Sequence, residues 1–174
     1  MDNKKNLENV YESFPDSKLE FMALQEITDL DKEAMVVLYN ELKKRGFDKD
    51  IIQAVKKQSE DISDDELKKL VDKYRKTPCP ICQNTGTLLN GFMLKKDYKD
   101  YYIIGCPSCI KLEVAKLRKS LGQFSVPALP QRARALFELE NFEDKSEPSD
   151  DFIHYVYLHR GNIYRIVQKH QKKT

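Results

Sequence analysis

No stretch of the chain approaches the roughly 20 consecutive apolar residues that cross a bilayer, and the start, Met1-Asp-Asn-Lys-Lys-Asn, holds no apolar run of signal-peptide type. A soluble, cytoplasmic protein with no membrane role is therefore expected. Catalytic signatures are missing as well. There is no Gly-rich phosphate loop, no G-x-S-x-G and no H-E-x-x-H. All three histidines, His154, His159 and His170, fall in the tail, and the first two are five apart, a spacing that does not share a helix face. Paired acids such as Asp64 and Asp65 suit a helix start, where the dipole favours negative charge. With neither a nucleophile and base nor a small-molecule substrate site in evidence, an enzyme is not expected. The net charge of +2 is no nucleic-acid signature.

What is present is four cysteines in two C-P-x-C pairs, Cys79/Cys82 and Cys106/Cys109, separated by the 23 residues from Gln83 to Gly105. Thiolates spaced C-x-x-C can both reach one ion, and two such pairs close a tetrahedral S4 shell, a geometry that Zn(II) accepts readily. Because four protein ligands leave no open position, one structural Zn(II) ion is expected at Cys79, Cys82, Cys106 and Cys109. Disulfides would need an oxidising compartment. A thioredoxin-type pair follows a buried strand, whereas the residues before Cys79 are charged and helical in pattern, and a second pair would be left over. Iron fits the same shell. Rubredoxin-like knuckles usually carry Gly just after the second Cys, where this chain has Gln83 and Ile110, so zinc is favoured.

Between the pairs, Thr87-Leu-Leu and Phe92-Met-Leu flank Asn90-Gly91, and Tyr101-Tyr-Ile-Ile leads back to Cys106. These are hairpin materials, with Asn-Gly as a short-turn signal. An alternative reversal lies at Lys95-Lys-Asp-Tyr-Lys-Asp100, with Asn90-Gly91 as a bulge or kink. After Cys109, the apolar residues Ile110, Val114, Leu117 and Leu121 mark one stripe of a helix that opens at the metal, and Pro107 suits its first turn. Knuckle, hairpin and helix together resemble the zinc-ribbon and treble-clef families over Pro78 to Leu112. That resemblance implies metal binding strongly and function weakly, since these families include transcription factors, ribosomal proteins, chaperones and adaptors. Cys82-Gln-Asn-Thr-Gly86 is also similar to the C-x-x-C-x-G-x-G repeats of the DnaJ chaperone, but no glycine follows the second pair and four repeats would be needed.

Residues 1–76 read as a helical module. Its marks are Leu19, Met22 and Ala23; then Ala34, Met35, Leu38 and Leu42 between Asp31 and Gly46; then Ile51, Ile52 and Val55. Ser63 and Glu66 stand as a capping box ahead of Leu67, Leu70, Val71 and Tyr74. Tyr11-Glu-Ser-Phe, Leu19, Lys32-Glu-Ala-Met and Glu41-Leu-Lys-Lys-Arg-Gly46 resemble a short module at the start of uncharacterised bacterial zinc-ribbon proteins. The metal segment spans 77–122. The tail, 123–174, is broken by Val126-Pro-Ala-Leu-Pro130, can start a helix at Pro130 that runs to about Asn141, and carries a polar linker near 143–151 with Ser149 as a cap. Residues 152–170 fit a helical stripe, a hairpin around Gly161-Asn162 being the alternative. The expected fold class is mainly α with a small zinc-bound β-hairpin, an α+β chain.

Two functions remain open. One is a non-catalytic protein-interaction or adaptor module, whose partner is another protein. The other is a nucleic-acid-binding accessory protein. Residues 1–76 hold 15 basic and 18 acidic residues, whereas 77–174 hold 15 and 10, so positive charge gathers in the second part. Candidate contacts are Lys95, Lys96, Tyr98 and Lys99 in the hairpin and Lys111, Arg118 and Lys119 beyond it, aromatic rings stacking bases while cations meet phosphates. Asp97, Asp100 and Glu113 interrupt that track.

Overall fold

The computed structural model describes residues 3–96, 99–122 and 147–172. The helix expected from Pro130, Tyr98, and the first residues of the 143–151 linker lie outside the described residues. The architecture is mostly helical with one two-stranded antiparallel hairpin. No described helix is long and apolar enough to cross a membrane. The chain forms two compact units, Met1–Tyr74 with Val156–Thr174, and Arg75–Tyr155.

The first unit contains α1 (Asn3–Ser13), α2 (Asp16–Leu24), a single 3-10 turn at Ile27–Asp29, α3 (Lys32–Lys44), α4 (Lys49–Ser59) and most of α5 (Asp64–Arg75). Its core gathers Leu19, Ile27, Leu38, Leu42 and Val55, the apolar positions of successive amphipathic helices. Local signals set the helix limits. Asp31 caps α3 by accepting the Ala34 amide at 2.7 Å. At the other end Gly46 takes φ +74°, while the Gly46 and Phe47 amides return to the carbonyls of Lys43 and Leu42, a Schellman closure. The Ser63–Glu66 box opens α5, with Ser63 N–H and hydroxyl both donating to the Glu66 carboxylate. The Arg45 guanidinium closes α1 by donating to the carbonyls of Tyr11, Glu12 and Phe14 at and just beyond its last turn.

The tail adopts the helical alternative, but as two helices, α7 (Asp150–Leu158) and α8 (Arg160–Gln171). The break at His159 is held by α4. The Gln58 amide donates to Leu158 O at 2.8 Å and accepts Gly161 N–H at 2.9 Å. At this crossing a Cβ on Gly161 would collide with the Ala54 carbonyl and approach Gln58 Cβ to 2.9 Å, so only glycine lets the two helices meet here.

In the second unit, β1 (Asn90–Lys96) pairs with β2 (Lys99–Gly105), followed by α6 (Pro107–Gly122). The register runs without interruption from Asn90 opposite Gly105 to Lys96 opposite Lys99, so the reversal lies between Lys96 and Lys99. This is the alternative reversal within Lys95–Asp100, and it corrects the reading of Asn90-Gly91 as the turn, or as a bulge. Asn90 and Gly91 instead receive the start of α7. The Asn90 side-chain oxygen accepts the Ser149 amide at 3.0 Å, and the Ser149 hydroxyl donates to Gly91 O at 2.6 Å while accepting Phe152 N–H at 3.2 Å. Asp151 accepts the Met93 amide at 3.0 Å. The free edge of β1 is thus covered by side chains of a helix start rather than by another strand. Beneath it Phe92, Ile110 and Val114 form a small core with Ile103.

Candidate metal centre

Two segments of backbone bring the cysteine sulfurs together. The first pair sits in a knuckle whose closure is local: Cys79 N–H donates to Asn84 O at 2.9 Å, and Gln83 N–H to Cys79 O at 2.8 Å. To make this turn, Gln83 adopts φ +61°, a left-handed conformation that favours glycine. The knuckle is tied to the end of α5 by reciprocal bonds between Arg75 and Leu89, the Leu89 amide donating to Arg75 O and Arg75 Nε to Leu89 O. The second pair belongs to the start of α6. Cys106 directly precedes Pro107, and Cys109 lies in the first turn. Strand β2 delivers both, since it ends at Gly105.

All four sulfurs lie within 4.8 Å of one another. A tetrahedral S4 shell with metal–sulfur bonds of about 2.3 Å requires separations of about 3.8 Å, and Cys82 Sγ is 3.7 Å from Cys106 Sγ. The donor set and spacing therefore fit one metal ion. Among the described residues no histidine or carboxylate joins this group. Cys79, Cys106 and Cys109 are buried, whereas Cys82 is exposed.

The electrostatics of the bare sulfurs are unbalanced. Burial pushes the Cys79 thiol up, but the amides of Cys82, Cys106 and Ile81 outweigh it and hold the group down at about 6. The Cys106 amide reaches Cys79 Sγ at 3.3 Å. Cys109 is pushed up to about 12, first by its hydrogen bond with Cys82, then by burial and by the neighbouring sulfurs. Once one sulfur carries charge, its neighbours resist ionisation, and a divalent cation removes that conflict by its own charge.

The expected ligands thus converge. For the expected nucleic-acid contacts the arrangement is sparser. Lys95 stands opposite Asp100, and Lys96 opposite Lys99, at the turn end of the hairpin. Lys111 and Lys119 are exposed on α6 and Tyr101 on β2; the side chains of Lys95, Lys96, Lys99 and Arg118 lie outside the described residues. Sequence reasoning missed the backbone donors to Cys79 and the role of Asn84. The turn-forming string Gln83-Asn-Thr-Gly86 is the signal that carries them, with Asn84 Oδ1 also accepting Gly86 N–H at 2.7 Å. The four-sulfur cluster beside a two-stranded hairpin is compatible with a zinc ribbon. Comparison with protein-family models, curated proteins and solved structures returned no match.

Proposed function

We propose that the protein is a non-catalytic adaptor in which one structural Zn(II), held by Cys79, Cys82, Cys106 and Cys109 in a treble-clef arrangement, shapes a surface for another protein. Zinc is the ion best suited to a closed S4 shell with no redox demand. Cys106 and Cys109 at the start of α6 support the treble-clef reading over a plain ribbon, because the last ligand pair then sits on a helix and gains from its dipole.

The observation that carries the adaptor reading is the exposure of three apolar side chains on the segments that carry the cysteines. Ile81, between the ligands of the first pair, is 47% exposed, Leu88 just beyond the knuckle 46%, and Leu112 on α6 62%. Exposed apolar side chains around a shell without an open coordination site favour contact over turnover. The test is capture of a partner from the native cell by the zinc-loaded protein after nuclease treatment. Ile81→Asp with Leu112→Asp should retain one equivalent of zinc and lose the partner. Undiminished capture by that variant would defeat the reading.

The exposed Tyr101 with Lys111 and Lys119 supports a second reading, nucleic-acid binding. It predicts affinity that falls steeply as salt rises, because bound phosphates release counterions. Failure of single- and double-stranded RNA and DNA to bind at low salt would remove it.

A further inference from the structure

The first unit holds an open cleft of about 210 Å³ where the end of α4, the turn after it, α5 and α8 meet. Its charges are unevenly answered. Glu60 pairs with Lys57 at 2.7 Å and Asp61 with Lys32 at 2.8 Å, while Glu66 is turned back onto Ser63. Arg160 is committed to the carbonyls of Tyr157, Gln58 and Glu60, which it closes as Arg45 closes α1. Lys73 remains, with Lys69, whose charge meets only the field of Glu66. They stand one turn apart on the cleft side of α5, and among the described residues neither takes part in an ion pair. Leu70, between them in the sequence, is half-buried, and with Ile62 and the buried Val167 it gives the cleft an apolar floor beside the Tyr164 ring.

We propose that this cleft binds a small amphipathic organic monoanion, a short-chain or aromatic carboxylate, with its carboxylate at Lys69 and Lys73 and its apolar body on Leu70 and Val167. With Lys57 answering Glu60 and Lys32 answering Asp61, Arg160, Lys69 and Lys73 face Glu66 alone, so the cleft is net positive and an anion complements it. An inorganic anion would leave the apolar floor unused, and an organic cation would meet the two lysines. The volume falls below the ~300 Å³ at which pockets begin to take drug-sized molecules, which selects a small occupant. None of these residues is a metal ligand, so the proposal stands apart from the adaptor reading.

The test is a titration of the full-length, metal-loaded, isotope-labelled protein with octanoate and with 4-phenylbutyrate, followed by amide chemical shifts. Saturable shifts confined to residues 60–73 and 160–168 are expected. Lys69→Gln with Lys73→Gln should weaken binding by about tenfold or more, the scale of a lost charge-assisted contact pair. Both side chains are exposed, so the unfolding midpoint should stay unchanged. Lys68→Gln, exposed on the same helix but outside the cleft, should leave the affinity as it was. Octylammonium or inorganic phosphate binding as well as octanoate would overturn the proposal. So would equal affinity in the double variant, or no saturable shift with either carboxylate.

Discussion

Gln83 occupies a left-handed position, φ +61°, immediately after the second sulfur of the first pair. A residue with a Cβ is strained there by roughly 1–2 kcal/mol, whereas glycine is not; glycine in turn gives back part of the gain through a more flexible unfolded chain. Gln83→Gly should therefore stabilise the metal-loaded second unit by up to about 1 kcal/mol, read as a higher denaturant midpoint and slower metal loss to a chelator. Gln83→Val should do the reverse, because a β-branched side chain fits this region worst. His159 offers a second test. Its pKa is lowered by burial, which the nearby charge of Asp29 only partly opposes. The unfolded chain then binds a proton more readily than the folded one, so this contribution to stability is present above the unfolded value of about 6.5 and is lost as pH falls below it. Replacing His159 with Gln should flatten the decline in denaturant midpoint below that pH, measured against the parent protein in the same buffers.

At the scale of elements, the crossing of α4 and α8 depends on one missing methyl group. Gly161→Ala would drive a Cβ into the Ala54 carbonyl and Gln58, backbone and buried side chain that cannot easily yield. A loss of about 3 kcal/mol is expected from such overpacking, checked by chemical denaturation followed through the helical circular-dichroism signal. Which elements were legible in the sequence follows from where their determinants lie. Asp31, Gly46, Ser63 and Glu66 act on backbone within a few residues of themselves, and α3 and α5 begin and end as the sequence implies. The cysteine spacing is equally explicit about the metal centre. Asn90-Gly91 misled because its partners, Ser149 and Phe152, stand some 60 positions later, and nothing nearby distinguishes a helix docking spot from a turn. The break between α7 and α8 was illegible for a similar reason. It is fixed by Gln58, about 100 residues earlier in the chain.

For the whole molecule, the two units differ in what sustains them. Among the described residues, the first has a core of many helical side chains, whereas the cluster between the hairpin and α6 of the second gathers Phe92, Ile110 and Val114 with Ile103. A bound structural metal can supply on the order of 10 kcal/mol to a small module. Removal of the ion by a strong chelator, or Cys106→Ser, should therefore abolish hydrogen-exchange protection in β1, β2 and α6 while protection in α3 and α4 persists. Loss of protection throughout, or in neither unit, would contradict this division. The first unit is also assembled from stretches of chain that are remote in sequence, because α8, which contributes the buried Ile163 and Val167, follows the entire metal-binding segment. During synthesis the early helices leave the ribosome without that covering face, and the cysteines emerge before it does. Ion capture can thus precede the last packing step, and whether or not metal is present the first unit keeps an unfinished apolar surface open to chaperones until α8 has emerged.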